Sequence, residues 1–384
     1  MHNQIEKRFL KAEWIDPYAL RIIQNLQKRG FQAYLVGGCV RDLLAGVQPK
    51  DFDIATNALP EEARRCIPNS YVIGKRFKLV LAKRGADQFE VATFRRSARD
   101  EELAEEGLPV KGDNFFGSCE EDAVRRDFTI NALFYDPITH EMVDHVSGLL
   151  DIDKRMIRMI GEPEARLLED PIRILRAVRL SHKLRFTIEP QLREAIAKTH
   201  PQLATSALPR KREEYLKILK LDSPSQTFIE LEDLGVLQTV LPYFADFLTD
   251  SERREIFFNY LDQLPLLTGK ENSSEELVSA LLFSMLRAQF PNSAFDLDAI
   301  EANPGWDRFI KTELNAFKTE IIEFYKTISL LNTLEKVESF RRKGPRRQKA
   351  LLSNPAFTRA LRWASVDKRL SYRDLLFWFD LQNS

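Results

Sequence analysis

The sequence predicts an α+β protein with a mixed-sheet head and an all-helical neck and body. Three observations carry this. Short β-prone runs alternate with helix-start signals through the first 150 or so residues. Beyond residue 165 apolar residues recur at helical spacing to the end. The length, 384 residues, makes room for two or three domains at roughly 150 residues each. The expected division is a head over 1–155, a neck over 156–225 and a body over 226–384.

The elements follow in order. Phe31-Gln32-Ala33-Tyr34-Leu35-Val36 is a β-prone run that stops at Gly37-Gly38, and Val40 to Ala45 is helix-like. Asp51-Phe52-Asp53-Ile54-Ala55 and Phe89-Glu90-Val91-Ala92-Thr93 alternate polar and apolar residues, as half-buried strands do. Thr56 or Asn57 ahead of Pro60-Glu61-Glu62 marks a helix start within 56–68. Ser97 to Gly117 is charged, aperiodic and rich in breakers, so a long loop is expected there. Leu167, Leu168, Ile172, Leu175, Val178 and Leu184 then open the helical part, with Pro171 suited to a first helical turn. Further on, Ile321, Ile322, Phe324, Tyr325, Ile328 and Leu330 form an amphipathic run among Glu320, Glu323 and Lys326.

Composition removes several classes. Lys plus Arg and Asp plus Glu each number 57, so the formal charge is zero; a uniformly basic nucleic-acid coat is excluded and a local basic channel is not. No apolar run approaches the roughly 18 residues of a membrane helix, and the polar start does not read as a signal peptide. Cys39, Cys66 and Cys119 form no CxxC pair, and the five histidines are scattered. Neither a disulfide framework nor a Cys/His zinc site is expected, and the expected setting is a reducing cytoplasm. No Walker A sequence is present, which argues against a P-loop hydrolase or kinase.

The chemistry concentrates in Gly37-Gly38-Cys39-Val40-Arg41-Asp42 and in Asp51-Phe52-Asp53. Residues two apart on a strand point the same way, so Asp51 and Asp53 aim two carboxylates at one small volume. Such like charges repel unless a cation lies between them, and magnesium favours carboxylate and phosphate oxygens. The paired glycines let backbone approach a phosphate that Arg41 could neutralise. A third carboxylate would complete a two-metal site for phosphoryl or nucleotidyl transfer. Glu90 and Asp127 are both candidates; Asp127 could equally hold Arg125 or Arg126, and Glu90 could be a solvated strand face.

These residues, with Arg125-Arg126-Asp127-Phe128-Thr129-Ile130-Asn131-Ala132 and Glu169-Asp170-Pro171-Ile172-Arg173-Ile174-Leu175-Arg176, resemble the class II nucleotidyltransferases. That family holds the bacterial poly(A) polymerases and the tRNA CCA-adding enzymes, and the resemblance covers about residues 31–220. It implies a polymerase-β-like head. It also implies metal-binding carboxylates at Asp51 and Asp53, two Mg2+ ions, and a triphosphate segment at Gly37, Gly38 and Arg41. Arg126 would contact the nucleotide, and Asp127 would be a catalytic acid. Asp170, Arg173 and Arg176 would read the incoming base, with Arg210 and Glu213 bracing the base-reading helix. Asp170 and Arg173, three apart, would share one helix face.

Residues 72–79, Val-Ile-Gly-Lys-Arg-Phe-Lys-Leu, and the stretch Asp113 to Ser118 resemble the poly(A) branch rather than the CCA branch, although Val80-Leu81 stand where that branch usually has a His. The resemblance therefore implies AMP transfer from ATP to RNA 3′ ends, with CCA-adding or A-adding tRNA repair as the alternative. A catalytically silent RNA-binding protein of the same fold is a remote third reading. Lys75 or Arg76 could take up phosphate charge. Arg341, Arg342, Lys343, Arg346 and Arg347, followed by Phe357 and Trp363, read either as a patch that grips RNA phosphates or as a solvated basic turn.

Overall fold

Eight short strands form one sheet in the computed structural model, which describes residues 4–74, 78–97, 115–268, 273–291, 293–368 and 370–383. They are β1 (Gln4–Lys7), β2 (Ala33–Val36), β3 (Asp53–Thr56), β4 (Ser70–Ile73), β5 (Leu79–Arg84), β6 (Asp87–Thr93), β7 (Leu133–Asp136) and β8 (Glu141–Asp144). Their order is β1-β8-β7-β2-β3-β6-β5-β4. The β3–β6 pair is parallel and the other pairs are antiparallel, so the sheet is mixed, as expected.

The helices that concern the site are α1 (Pro17–Gln27), α2 (Gly38–Leu44), α3 (Pro60–Cys66), α4 (Cys119–Val124), α5 (Gly148–Asp153), α6 (Pro163–Glu169), α7 (Arg173–Leu184), α8 (Pro190–Thr199) and α9 (Leu208–Leu219). The chain divides into two units, Met1–Glu169 with Leu184–Ala195, and Asp170–Lys183 with Ile196–Ser384. The expected neck, 156–225, is thus shared between the two units.

In the first unit, one sheet face is closed by α1 and α3 over Ile54, Val80, Phe89 and Val91. Helix α1 starts where Asp16 accepts from the Tyr18 amide at 2.6 Å, and Arg84 clamps the same carboxylate with two bonds of 2.8 Å. On the other face Val36, Ala55, Phe94, Ala123, Ala132, Phe134 and Ile160 form a core cluster over the middle strands. Each fully buried large side chain there contributes about 1.5–3 kcal/mol. Among the described residues no helix covers that second face over β4, β5 and β6, where Tyr71, Ile73, Gln88 and Glu90 are exposed.

The second unit is helical. Its core is built on Ser274–Gln289, Lys318–Leu334 and Pro355–Asp367, with Phe283 stacked on Trp363 at 4.6 Å. A buried Arg287–Asp367 pair at 2.6 Å ties two of these helices together. No helix of the described residues is long and apolar enough to cross a membrane.

Local boundaries differ from expectation in instructive ways. The strand expected over 51–55 begins at Asp53, leaving Asp51 just ahead of it. The helix expected within 56–68 runs Pro60–Cys66, starting at a proline as such helices do. Strands β1, β4, β7 and β8 gave no sequence signal, because four residues carry too little alternation to register, and the six-residue β5 gave none because Leu79-Val80-Leu81-Ala82 is an unbroken apolar run. Most of the expected loop, 98–114, lies outside the described residues, as do Lys75 and Arg76 and the residue pair Asp113-Asn114.

Candidate functional site

Strand register assembles the carboxylates. Ile54 pairs with Val91 in the parallel β3–β6 ladder, which sets Asp53 beside Glu90, about 4.8 Å away strand to strand. Asp51 and Asp53 are exposed on either side of Phe52, whose side chain is buried. The three carboxylates therefore gather at one end of β3. The protein packed around Asp53, then Glu90 and Asp51, push its pKa up to about 6 against the pull of Arg126 and Arg41. The residue keeps an open side toward solvent, so the crowding comes from its protein-facing side.

Three hard oxygen donors under mutual repulsion fit magnesium. Among the described residues no three such donors enclose an ion by themselves. Magnesium fits such an incomplete set, since it ordinarily keeps water and substrate phosphate as its remaining ligands.

The glycine turn lies on the opposite side of β3. Gly37 follows β2 with φ 73° and ψ −128°, a conformation L side chains rarely adopt. Space is short as well, since a Cβ there would stand 3.2 Å from Arg126 Nη1. Gly38 is 3.5 Å by the same measure from Arg41 Nη2. Two guanidiniums thus flank the turn.

Both arginines are fixed by neighbours. Arg41 donates to Asp42 Oδ1 at 2.7 and 2.9 Å and to Asn131 Oδ1 at 2.6 Å. Arg126 donates to Asp122 at 2.8 and 3.0 Å and to the Asn131 carbonyl at 3.2 Å. Asn131 in turn donates to Asp127 Oδ1 at 2.9 Å, and the Phe128 amide donates to the same oxygen at 2.8 Å. Asp127 therefore orients Asn131, which orients Arg41.

The salt-bridge role weighed for Asp127 belongs to Asp122, which also holds Arg125 at 2.6 and 2.9 Å. Burial works to raise the Asp122 pKa, but Arg126 and Arg125 outweigh it and hold the carboxyl below its ordinary value. The helical spacing of Asp122 to Arg125 and Arg126 was a signal in the sequence that could have found it.

In the second unit, Asp170 takes a two-pronged bond from Arg210, both arms 2.9 Å. The Arg173 amide donates to the Asp170 carbonyl at 3.1 Å, so Asp170 and Pro171 lie in the turn ahead of α7 rather than inside the helix. Arg173, Arg176 and Arg179 follow at intervals of three along α7. The buried carboxylate of Glu214 receives Arg179 at 2.7 Å and lies 3.6 Å from Arg176. Glu213, the expected brace, instead accepts from Lys217 at 2.7 Å on the surface, and that bond lowers its pKa. One residue is about 100° around a helix, so neighbours in sequence face different surroundings.

The basic stretch is mostly surface. Arg341 pairs with Glu338 at 3.0 Å and lies 4.6 Å over the Phe377 ring. Arg342 and Arg346 are exposed and Lys343 is half-buried; the Arg347 side chain lies outside the described residues. Phe357 and Trp363, expected beside the patch, are fully buried core residues and offer no stacking surface.

Two family models match parts of the chain, and curated relatives and solved structures resemble it. Residues 33–158 match the poly A polymerase head domain, and 185–248 match the probable RNA- and SrmB-binding site of polymerase A. Poly(A) polymerase I of Salmonella typhi is 41% identical over 256 residues, 64% of this chain and 54% of that protein. The CCA-adding enzyme of Bacillus licheniformis is 37% identical over 216 residues, 56% and 51% of the respective chains. This chain thus spans about half the length of the curated relatives it matches. The Bacillus stearothermophilus CCA-adding enzyme in complex with CTP shares the fold, with TM-score 0.60, 24% identity and coverage of 96% of this chain and 82% of that one. A CCA-adding enzyme with ATP does so with TM-score 0.61 and 20% identity over 99% and 86%.

Proposed function

Since the chain belongs to the class II nucleotidyltransferase family, we propose that it transfers AMP from ATP to RNA 3′ ends without a template, as a poly(A) polymerase. The observation that carries this reading is the carboxylate cluster Asp51, Asp53 and Glu90 set against the Gly37-Gly38 turn and its two arginines. Two Mg2+ ions held there would activate the RNA 3′-hydroxyl toward the α-phosphate and stabilise the leaving pyrophosphate.

The chain's own residues take the remaining roles. Asp51 and Asp53 are the metal ligands, and Glu90, beside Asp53 in the sheet, is the third carboxylate. Arg41 and Arg126 flank the turn where the triphosphate lies, with Gly37 and Gly38 leaving it room. Asp127 acts as a positioning residue through Asn131. Asp170, Arg173 and Arg176 present hydrogen-bonding groups for an adenine edge, braced by Arg210 and Glu214. Arg341, Arg342, Lys343, Arg346 and Arg347 supply non-specific contacts to RNA phosphates. A cytoplasmic location suits such a role.

The poly(A) branch is favoured by the higher identity to Poly(A) polymerase I and by the 72–79 sequence. A specific observation supports the second reading, tRNA CCA or A addition: the solved structures of like fold named above are CCA-adding enzymes. One incubation series separates them. Protein and magnesium are given a generic oligoribonucleotide or a tRNA lacking its 3′ end, with ATP or CTP supplied separately. Long ladders from ATP on both RNAs support poly(A) synthesis. Short additions to tRNA alone, with CTP accepted, support end repair. No incorporation of any nucleotide sinks both.

A further inference from the structure

The second face of the sheet continues outward from the carboxylates. Glu90 pairs with Leu81, and Leu81 pairs with Tyr71. Directly paired residues share a sheet face. Asp53, Glu90, Leu81 and Tyr71 therefore form one row across β3, β6, β5 and β4. At about 4.8 Å per strand, Tyr71 lies about 14 Å from Asp53.

The row ends in exposed apolar surface. Tyr71 is 54% exposed and Ile73, two residues on, is 40% exposed. Lys83, paired with Gln88, brings its Nζ to 5.9 Å from the centre of the Tyr71 ring. An exposed aromatic with an ammonium beside it is the pairing that single-stranded nucleic acid uses, a base on the ring and a phosphate on the cation.

Direction argues for the same occupant. The Gly37 turn follows β2, on one side of β3, whereas Tyr71 lies beyond β6 on the other. Phosphoryl transfer runs in line, with attacking and leaving oxygens on opposite sides of the phosphorus. A triphosphate at the glycine turn places the leaving group on the β2 side. The attacking hydroxyl then arrives from the β6–β5–β4 side.

We propose that this row is the platform for the RNA strand, with a base stacked on Tyr71 and a backbone phosphate at Lys83 as the 3′-hydroxyl reaches the carboxylates. The proposal rests on the nucleotidyltransferase reading and specifies where its second substrate lies.

The test is steady-state extension of an oligoadenylate with ATP by the full chain and its Tyr71→Ala, Tyr71→Phe and Lys83→Gln variants. Melting curves confirm that each variant folds. Loss of one stacked base raises the RNA KM of Tyr71→Ala by about 5- to 150-fold, with the ATP KM unchanged. Tyr71→Phe restores the wild-type value. Lys83→Gln lowers the slope of log KM for RNA against log salt by about 0.7. If the wild type extends RNA while Tyr71→Ala keeps its RNA KM and Lys83→Gln keeps its salt slope, the platform is refuted and the activity stands; the face then serves another partner or none. A rise in the ATP KM of Tyr71→Ala also overturns the proposal. No incorporation by the wild type removes the underlying reading itself.

Discussion

Replacing Asp122 by alanine removes the carboxylate that fixes the arginines behind the glycine turn. Its Oδ1 accepts from Arg125 at 2.6 and 2.9 Å and from the Arg95 amide at 3.1 Å. Its Oδ2 accepts from Arg126 at 2.8 and 3.0 Å. The Asp122 side chain is 2% exposed, and those of Arg125 and Arg126 are 33% and 21% exposed. Breaking a buried pair by removing one partner costs about 3–5 kcal/mol. Both guanidiniums retain some water, so the low end applies, about 3 kcal/mol. At about 2–4 °C per kcal/mol, the head should melt about 6–12 °C lower.

The same change frees Arg126 from its place beside Gly37, so the ATP KM should rise. Asp122→Asn keeps the shape without the charge and should fall between. The pH dependence has a definite sign. The folded pKa lies below the ordinary 3.8, so the pair's contribution is complete above 3.8 and drains away as pH falls through the folded value. The alanine variant should therefore lose less stability on acidification than the wild type. Thermal melting and ATP kinetics check both effects. A Tm drop below about 2 °C together with an unchanged ATP KM would refute the reasoning.

Four further outcomes are expected. Asp51→Ala and Asp53→Ala should each abolish extension without changing the circular dichroism spectrum, because both side chains are exposed; measurable extension at ordinary magnesium contradicts the metal assignment. Asp53→Asn should raise the Tm of metal-free protein well above pH 6 and have no such effect well below it. A carboxyl pushed up to about 6 opposes folding once ionised, and that cost disappears as pH falls. Gly37→Ala should cost about 1–3 kcal/mol for its positive-φ backbone and raise the ATP KM by crowding Arg126; a Tm equal to wild type argues against the strain. Glu214→Gln should destabilise by about 1.5–3 kcal/mol and weaken ATP-over-CTP selection. Glu213→Gln should cost only about 0.3–0.5 kcal/mol, and equal effects in the two variants would contradict the assignment of the brace.

The sequence alone determined the α+β class, the helical second half, the DxD carboxylates and the glycine turn, because each is a local pattern. The alternation of Asp51, Phe52 and Asp53 is enough to foretell that Phe52 is buried and the two aspartates exposed. The family resemblance was carried by contiguous runs and was equally local.

Tertiary structure decided what depends on distance along the chain. Glu90 stands beside Asp53 only because β3 and β6 pair in one parallel register, and no spacing within either strand fixes that register. That Glu214 and not the expected Glu213 meets the α7 arginines turns on which side of α9 faces α7, a rotation of about 100° that residue type does not announce. Phe357 and Trp363 look the same in sequence whether they stack bases or fill a core, and only packing distinguishes the two. The Tyr71 row was invisible for the same reason: it runs across strands, at right angles to the chain, where cross-strand pairing rather than sequence order sets the neighbours.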